Sequence, residues 1–169
     1  MKLHIGGEQV KEPWKILNIQ AKEGVDFIGD ISDLSQFPDA SIVEIYASHT
    51  LEHVHQKKMA NTLSGIYRVL KQGGKFYISV PDLDILCHTF MSPLAPTDVK
   101  YQVMRMIFGG QEDSFDYHYF GWNQTFLYQY LQQAGFSGAE RVDSFNLFND
   151  SSNDRPFGFP ISLNVIATK

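Results

Sequence analysis

The stretch from Ile42 to Val80 restricts the possible folds more than any other part of the chain. Two short and mostly apolar runs, Ile42–Ala47 and Lys75–Val80, bracket a stripe made of Met59, Leu63, Ile66, Tyr67 and Leu70. That spacing places the five side chains on one face of a helix. Strands this apolar are usually buried on both faces, as in parallel sheets. Parallel neighbours need a long crossover, and the helix supplies one. Lys71 is expected in its last turn, with Gly73-Gly74 closing it.

Further strands are predicted at Lys2–Gly6, Ile16–Ile19, Val25–Ile28, Arg141–Phe148 and Ser162–Thr168. Helices are predicted at Asp82–Met91, at Thr97–Phe108 with Thr97 as N-cap, and at Asn123–Ala134 between Asn123 and Gly135. No long helix separates the last two strands, so they are expected to pair antiparallel. The result is an α/β domain spanning 1–169, with a helical and aromatic segment inserted at 83–122. Only Gly7–Lys15 joins the first two strands, so the first crossover helix is shortened or absent.

Composition narrows the function classes. A net charge of −5 with scattered lysines offers nothing to a polyanion, so no nucleic-acid partner is expected. No run of about 18 apolar residues exists to form a membrane helix. The first seven residues turn polar too soon for a signal peptide. The single cysteine, Cys87, excludes an internal disulfide. A cytoplasmic protein is expected.

Ligands of such sheets bind beyond the carboxyl ends of the strands. Gly6-Gly7-Glu8 follows the first strand, Asn18 ends the second, Gly29-Asp30-Ile31 ends the third and Ala47-Ser48-His49 ends the fourth. Paired glycines let a backbone turn tightly and approach a ligand, though they also serve plain turns. Asn18 offers both donors and an acceptor, and the Asp30 carboxylate can accept from an exocyclic amine. His49-Thr50-Leu51-Glu52-His53 also fits H-x-x-E-H, an inverted zinc-protease pattern. That pattern needs both imidazoles on one face of an established helix, whereas His49 directly follows a strand. No metal site is therefore assigned.

In order and spacing, these pieces resemble the class I S-adenosylmethionine-dependent methyltransferases, in their small "type 11" branch. Ser48-His49-Thr50-Leu51-Glu52-His53 and Arg68-Val69-Leu70-Lys71-Gln72-Gly73-Gly74 carry most of the likeness, which covers residues 2–82 almost continuously. It implies a Rossmann-like three-layer sheet, mostly parallel with an antiparallel C-terminal strand, and S-adenosylmethionine as cofactor. Gly6 and Gly7 would pass beneath the methionine part, Asn18 would face the ribose, and Asp30 and Ile31 would meet the adenine. Ala47, Ser48 and His49 would line the methionine end through backbone groups. The resemblance also implies that the histidine-glutamate-histidine run binds no zinc. Two positions depart from the family: Glu8 stands where it has a second loop glycine, and Asn18 where it has an acid on the ribose hydroxyls.

Methyl transfer needs orientation, desolvation and, for a protonated acceptor, a base. The aromatic run Phe115, Tyr117, Tyr119 and Trp122 is expected to wall a small-molecule or glycan-precursor acceptor. His118 is the candidate base. Three alternatives compete with an active methyltransferase. One is a binding scaffold with a weakened cofactor site, and another is a zinc hydrolase built on His49, Glu52 and His53. The last is a nicotinamide dehydrogenase, disfavoured because no G-x-G-x-x-G opens a helix. A homodimer is a further expectation.

Overall fold

In the computed structural model, which describes all 169 residues, the elements follow in the order β1 (Lys2–Ile5), β2 (Trp14–Asn18), β3 (Phe27–Ile28), β4 (Ile42–Ser48), α1 (Met59–Val69), β5 (Leu70–Pro81), α2 (Leu83–Met91), α3 (Thr97–Phe108), α4 (Gln124–Ala134), β6 (Gly138–Val142) and β7 (Ser162–Thr168). The seven strands form one sheet in the order β3-β2-β1-β4-β5-β7-β6. β1 to β5 pair in parallel, while β7 runs antiparallel to both β5 and β6. No helix is long and apolar enough to cross a membrane.

The crossover from β4 to β5 forms around α1 as its stripe requires. Met59, Leu63, Ile66 and Val69 are fully buried, beside Ile42, Ile45, Phe76 and Ile78 from the two strands. From β1 to β2 there is no helix. Eight residues, Gly6 to Pro13, reach at most about 26–29 Å. That returns the chain along a short strand and leaves nothing over for a helical layer. The connection from β3 to β4 is also loop. Its Leu34 and Phe37 enter the core, and their carbonyls accept from the Arg68 guanidinium of α1 at 2.8 and 3.0 Å. That clamp fixes the segment beginning at Asp30.

Three local expectations are corrected. Gly73-Gly74 does not close α1. The helix ends at Val69, and its last carbonyls are met by Lys169 Nζ, which donates to Tyr67 O at 2.6 Å and Leu70 O at 2.8 Å. Gly73 instead turns, at φ +73°, inside the irregular start of β5. Thr97 is the first residue of α3 rather than its cap; Pro96 holds that place without a capping hydrogen bond. The strand expected at Arg141–Phe148 is β6, displaced toward the N-terminus. It stops at Val142, and the Asp143 carbonyl turns to the Asn164 amide at 3.1 Å. Asn123 does cap α4, accepting from Phe126 N at 2.9 Å, and Gly135 ends it at φ +103°.

Candidate active site

The carboxyl ends of the parallel strands open into one cavity of about 500 Å³. Ile5 and Gly6 from β1 and Leu17 to Gln20 from β2 form one wall, and Gly29 to Ile31 another. His49, Thr50, His53 and Val54 form the floor beyond β4, and Asp113–Asp116 with Tyr119 the roof. Gly6 leaves β1 at φ +75°, and a Cβ there would lie 2.7 Å from Thr50 Oγ1, so both conformation and space require glycine.

The polar groups at the rim are mostly held by their own loops. Asn18 Nδ2 donates to Gly7 O at 3.2 Å, and its Oδ1 accepts from Gln20 N at 3.0 Å. Its amide therefore ties the first two loops together. Gln20 is the half-buried side chain that follows it on the cavity wall. Asp30 Oδ1 accepts from Ser32 N at 2.8 Å, which sets the carboxyl at the edge of the cavity. Glu8 does not fill the space: it lies exposed at the mouth, paired with Lys22 Nζ at 2.5 Å.

Two smaller cavities adjoin the first. One of about 310 Å³ is lined by Gly7, Glu8, Ser48, Asn149 and Asp150 among others. The other, of about 350 Å³, is polar, with Gln102, Arg105, Asp116, His118 and Asp154 in its walls. His49 borders all three. It sits at φ +50°, a left-handed conformation that costs a side-chain-bearing residue about 1–2 kcal/mol. Its amide remains bonded to Ser79 O at 2.8 Å, and its Nε2 meets Ser162 Oγ at 2.9 Å. Its Nδ1 faces the buried Glu52 carboxylate at 3.4 Å. Burial opposes charge on His49, but Glu52, with Asp150 and Asp154, outweighs it and raises the imidazole above its ordinary value. Burial likewise opposes ionisation of Glu52, and His49, His53 and His118 together hold it below the usual carboxylate range.

Gly6, Asn18, Asp30, Ile31 and His49 thus meet at the first cavity, roofed by Phe115 and Tyr119. Gly7 and Ser48 face the neighbouring one, and the Ala47 side chain is in the core. Trp122 is a correction. It is 1% exposed and stacked on Phe120 at 4.2 Å, because the end of the aromatic run packs under the insertion instead of walling a ligand. Tyr117 turns outward and gives its carbonyl to His53 Nδ1 at 3.2 Å. His118 lies on the far cavity, with its Nδ1 on Met106 O at 3.0 Å. Sequence reasoning missed Gln20 and Thr50 as lining residues. Gln20 lies two positions beyond Asn18 at the same strand end, a spacing that could have pointed to it.

Residues 6–78 match a family described as a methyltransferase domain. No curated protein matches the sequence. Among solved structures, the chain resembles an S-adenosylmethionine-dependent methyltransferase from Archaeoglobus fulgidus. The two are 17% identical with a TM-score of 0.60, over 99% of this chain and 85% of that one. A possible histamine N-methyltransferase from Thermotoga maritima aligns at 16% identity and a TM-score of 0.59, over 99% and 81%. The 1,6-didemethyltoxoflavin-N1-methyltransferase of Burkholderia thailandensis, solved with 1,6-didemethyltoxoflavin and S-adenosylhomocysteine, aligns at 16% and 0.62, over 99% and 70%. At such identities the likeness concerns the fold.

Proposed function

Taking residues 6–78 as a methyltransferase domain on a class I methyltransferase sheet, we infer that the protein transfers a methyl group from S-adenosylmethionine to a small polar acceptor. One observation carries this reading: the ends of the first four strands converge on a single cavity of ligand size. Its donor set suits an adenosyl group. Asp30 offers a carboxylate with one oxygen left over for an amine, beside the buried apolar edge of Ile31. Gly6 gives close backbone approach.

The two departures from the family pattern have local answers. The carboxylate of Glu8 is neutralised by Lys22 at the mouth, so it does not repel an anionic ligand end. No acid is offered on the ribose side in this reading, and because the Asn18 amide is tied to Gly7 O and Gln20 N, the neighbouring Gln20 side chain is the partner we assign there. A neutral partner makes a weaker hydrogen bond than a charged one, so affinity for the cofactor should be modest.

The cofactor, when bound, supplies a methyl group already activated on a sulfonium. The chain's own residues bind and orient it, and Phe115 and Tyr119 screen it from water. The adjoining polar cavity, with Gln102, Arg105, Asp116 and Asp154, suits a small hydroxylated or amine-bearing acceptor or a glycan precursor.

Calorimetry with S-adenosylhomocysteine tests the reading. One equivalent should bind, and Asp30→Ala should weaken it about tenfold, the equivalent of one lost hydrogen bond, with unchanged circular dichroism. Absence of heat at millimolar ligand would overturn it and leave a binding scaffold.

A further inference from the structure

Glu52 has the least explained environment in the molecule. It stands in the single turn Leu51–His53 after β4, 1% exposed, and neither carboxylate oxygen has a hydrogen-bond donor. His49 Nδ1 stays at 3.4 Å. The His49 imidazole, whose charge this carboxylate favours, is a single partner at ion-pair distance, and a carboxylate so deeply buried ordinarily takes a closer cation or several donors.

Two imidazoles gather at the same place, and the backbone brings them there. The Glu52 carbonyl accepts from Tyr119 N at 2.8 Å and Phe120 N at 3.2 Å, which docks the 117–120 segment on the turn. The rings of His53 and His118 then meet edge to face, with centroids 4.8 Å apart. One ligand atom each from Glu52, His53 and His118 lies within 4.8 Å of the other two. The Nδ1 atoms of the two histidines face backbone carbonyls, of Tyr117 at 3.2 Å and Met106 at 3.0 Å. That engagement makes Nδ1 the protonated nitrogen and leaves a lone pair on each Nε2. The outer carbonyl partner is the support that metal-binding histidines ordinarily have. With both Nδ1–H groups spent on backbone carbonyls, no donor of the two histidines is left for the carboxylate.

We propose that Glu52, His53 and His118 bind one divalent cation of the zinc class, in the wall between the first cavity and the polar one. Two imidazole nitrogens and one carboxylate oxygen form a three-ligand set with a coordination position left open. His49 has no part in the set: at positive φ in the turn after β4, it cannot complete the helical H-x-x-E-H pairing. A zinc ion about 2.0–2.1 Å from each ligand needs them about 3.4 Å apart, so binding draws the three side chains inward by about an ångström. In this assignment His118 is a ligand and does not serve as the base.

The test uses untagged, chelator-stripped protein titrated with Zn²⁺ by calorimetry. One equivalent should bind with Kd of about 1 μM or tighter, and Mg²⁺, which prefers oxygen ligands, should give no heat. Glu52→Gln keeps the shape and removes the charge, and His118→Ala removes an imidazole; each should weaken binding about 100-fold or more. His88→Ala, on α2, should change nothing. Co²⁺ should produce visible d–d absorption in the parent and lose it in His118→Ala, which keeps the test decisive if Glu52→Gln does not fold. Stoichiometric binding absent up to about 100 μM Zn²⁺, or equal affinity in parent and both variants, would overturn the proposal and leave a shared proton as the compensating charge. No S-adenosylmethionine enters the measurement, so its failure leaves the methyl-transfer reading untouched.

Discussion

The two faces of the sheet are covered by different materials. On one, Leu3, Ile5, Ile45, Ala47, Phe76, Ile78 and Val80 meet α1 and α4 in a mostly aliphatic core of 26 residues, a cluster too large to depend on any loop. On the other, the alternate positions His4, Tyr46 and Tyr77 meet Trp14 of β2 and Phe145, Leu147 and Phe148 of the segment between β6 and β7. That cover is an irregular, aromatic segment pinned by a few polar contacts, among them Tyr46 Oη to Asp150 Oδ2 at 2.8 Å and Lys11 Nζ to Leu147 O. Helices cover a face by periodicity, whereas a loop must be fastened residue by residue. The aliphatic face should therefore govern global stability, and the aromatic face should respond to single polar groups and to pH.

The largest effect belongs to the first face. Leu63 is fully buried at the centre of α1, and Leu63→Ala should cost about 3–4 kcal/mol, measured as the shift in denaturant midpoint at constant m-value. A loss near 1 kcal/mol would mean that the helix is a loosely held cover like the loop opposite, and the contrast would fail.

That asymmetry also explains what was legible in the sequence. The α1 stripe and the apolar strands follow periodic rules, so the sheet, the α1 crossover and the absent first helix could all be read. Arg141–Phe148 reads locally as a strand, but pairing ends at Val142, where the Asp143 carbonyl accepts from the side chain of Asn164, 21 residues on. The site divides in the same way. Gly6 and Asp30 could be placed because strand ends define the cavity. Asn18 also lies on that cavity, but the tie of its amide to Gly7 and Gln20 is a local pairing that no spacing rule describes. The burial of Trp122 was not legible, because the docking of 117–120 on the Glu52 carbonyl is a backbone event.

The next effect in size tests the aromatic face by pH. His4 is 5% exposed, its ring 4.1 Å from that of Phe148 and 5.0 Å from that of Tyr46. Its Nδ1 has no partner, and burial lowers the imidazole from 6.5 to about 4, with Asp150 opposing. The folded state thus binds a proton less readily than the unfolded state. Stability from this residue is fully present above pH 6.5 and is lost as pH falls from 6.5 toward 4. The total is about 3 kcal/mol at 1.36 kcal/mol for each tenfold change in proton affinity. Urea midpoints measured between pH 7.5 and 4.5 should show this loss in the parent. His4→Leu, which leaves no polar atom behind, should flatten that part of the profile. A variant with the parent's slope would assign the acid sensitivity to other groups and remove the chemical distinction between the faces.

The smallest effect concerns a single fastening. Tyr46 Oη donates to Asp150 Oδ2 at 2.8 Å and also lies 3.3 Å from Ser152 Oγ, which joins the middle of β4 to the turn that ends the aromatic cover. Burial raises the phenol above its ordinary value, so it stays protonated and donating across the working pH range. Tyr46→Phe keeps the ring among Trp14, Phe145 and Phe148 and removes only the hydroxyl, so packing should be nearly conserved. The expected loss is about 1.5 kcal/mol, the scale of a hydrogen bond to a charged acceptor. Its location matters more than its size. If the cover is fastened separately from the helical core, amide exchange should quicken in residues 145–153 while α1 and β5 keep their protection. Uniform loss of protection would mean that both faces unfold as one unit, so that the loop is as integral to the fold as the helices opposite it.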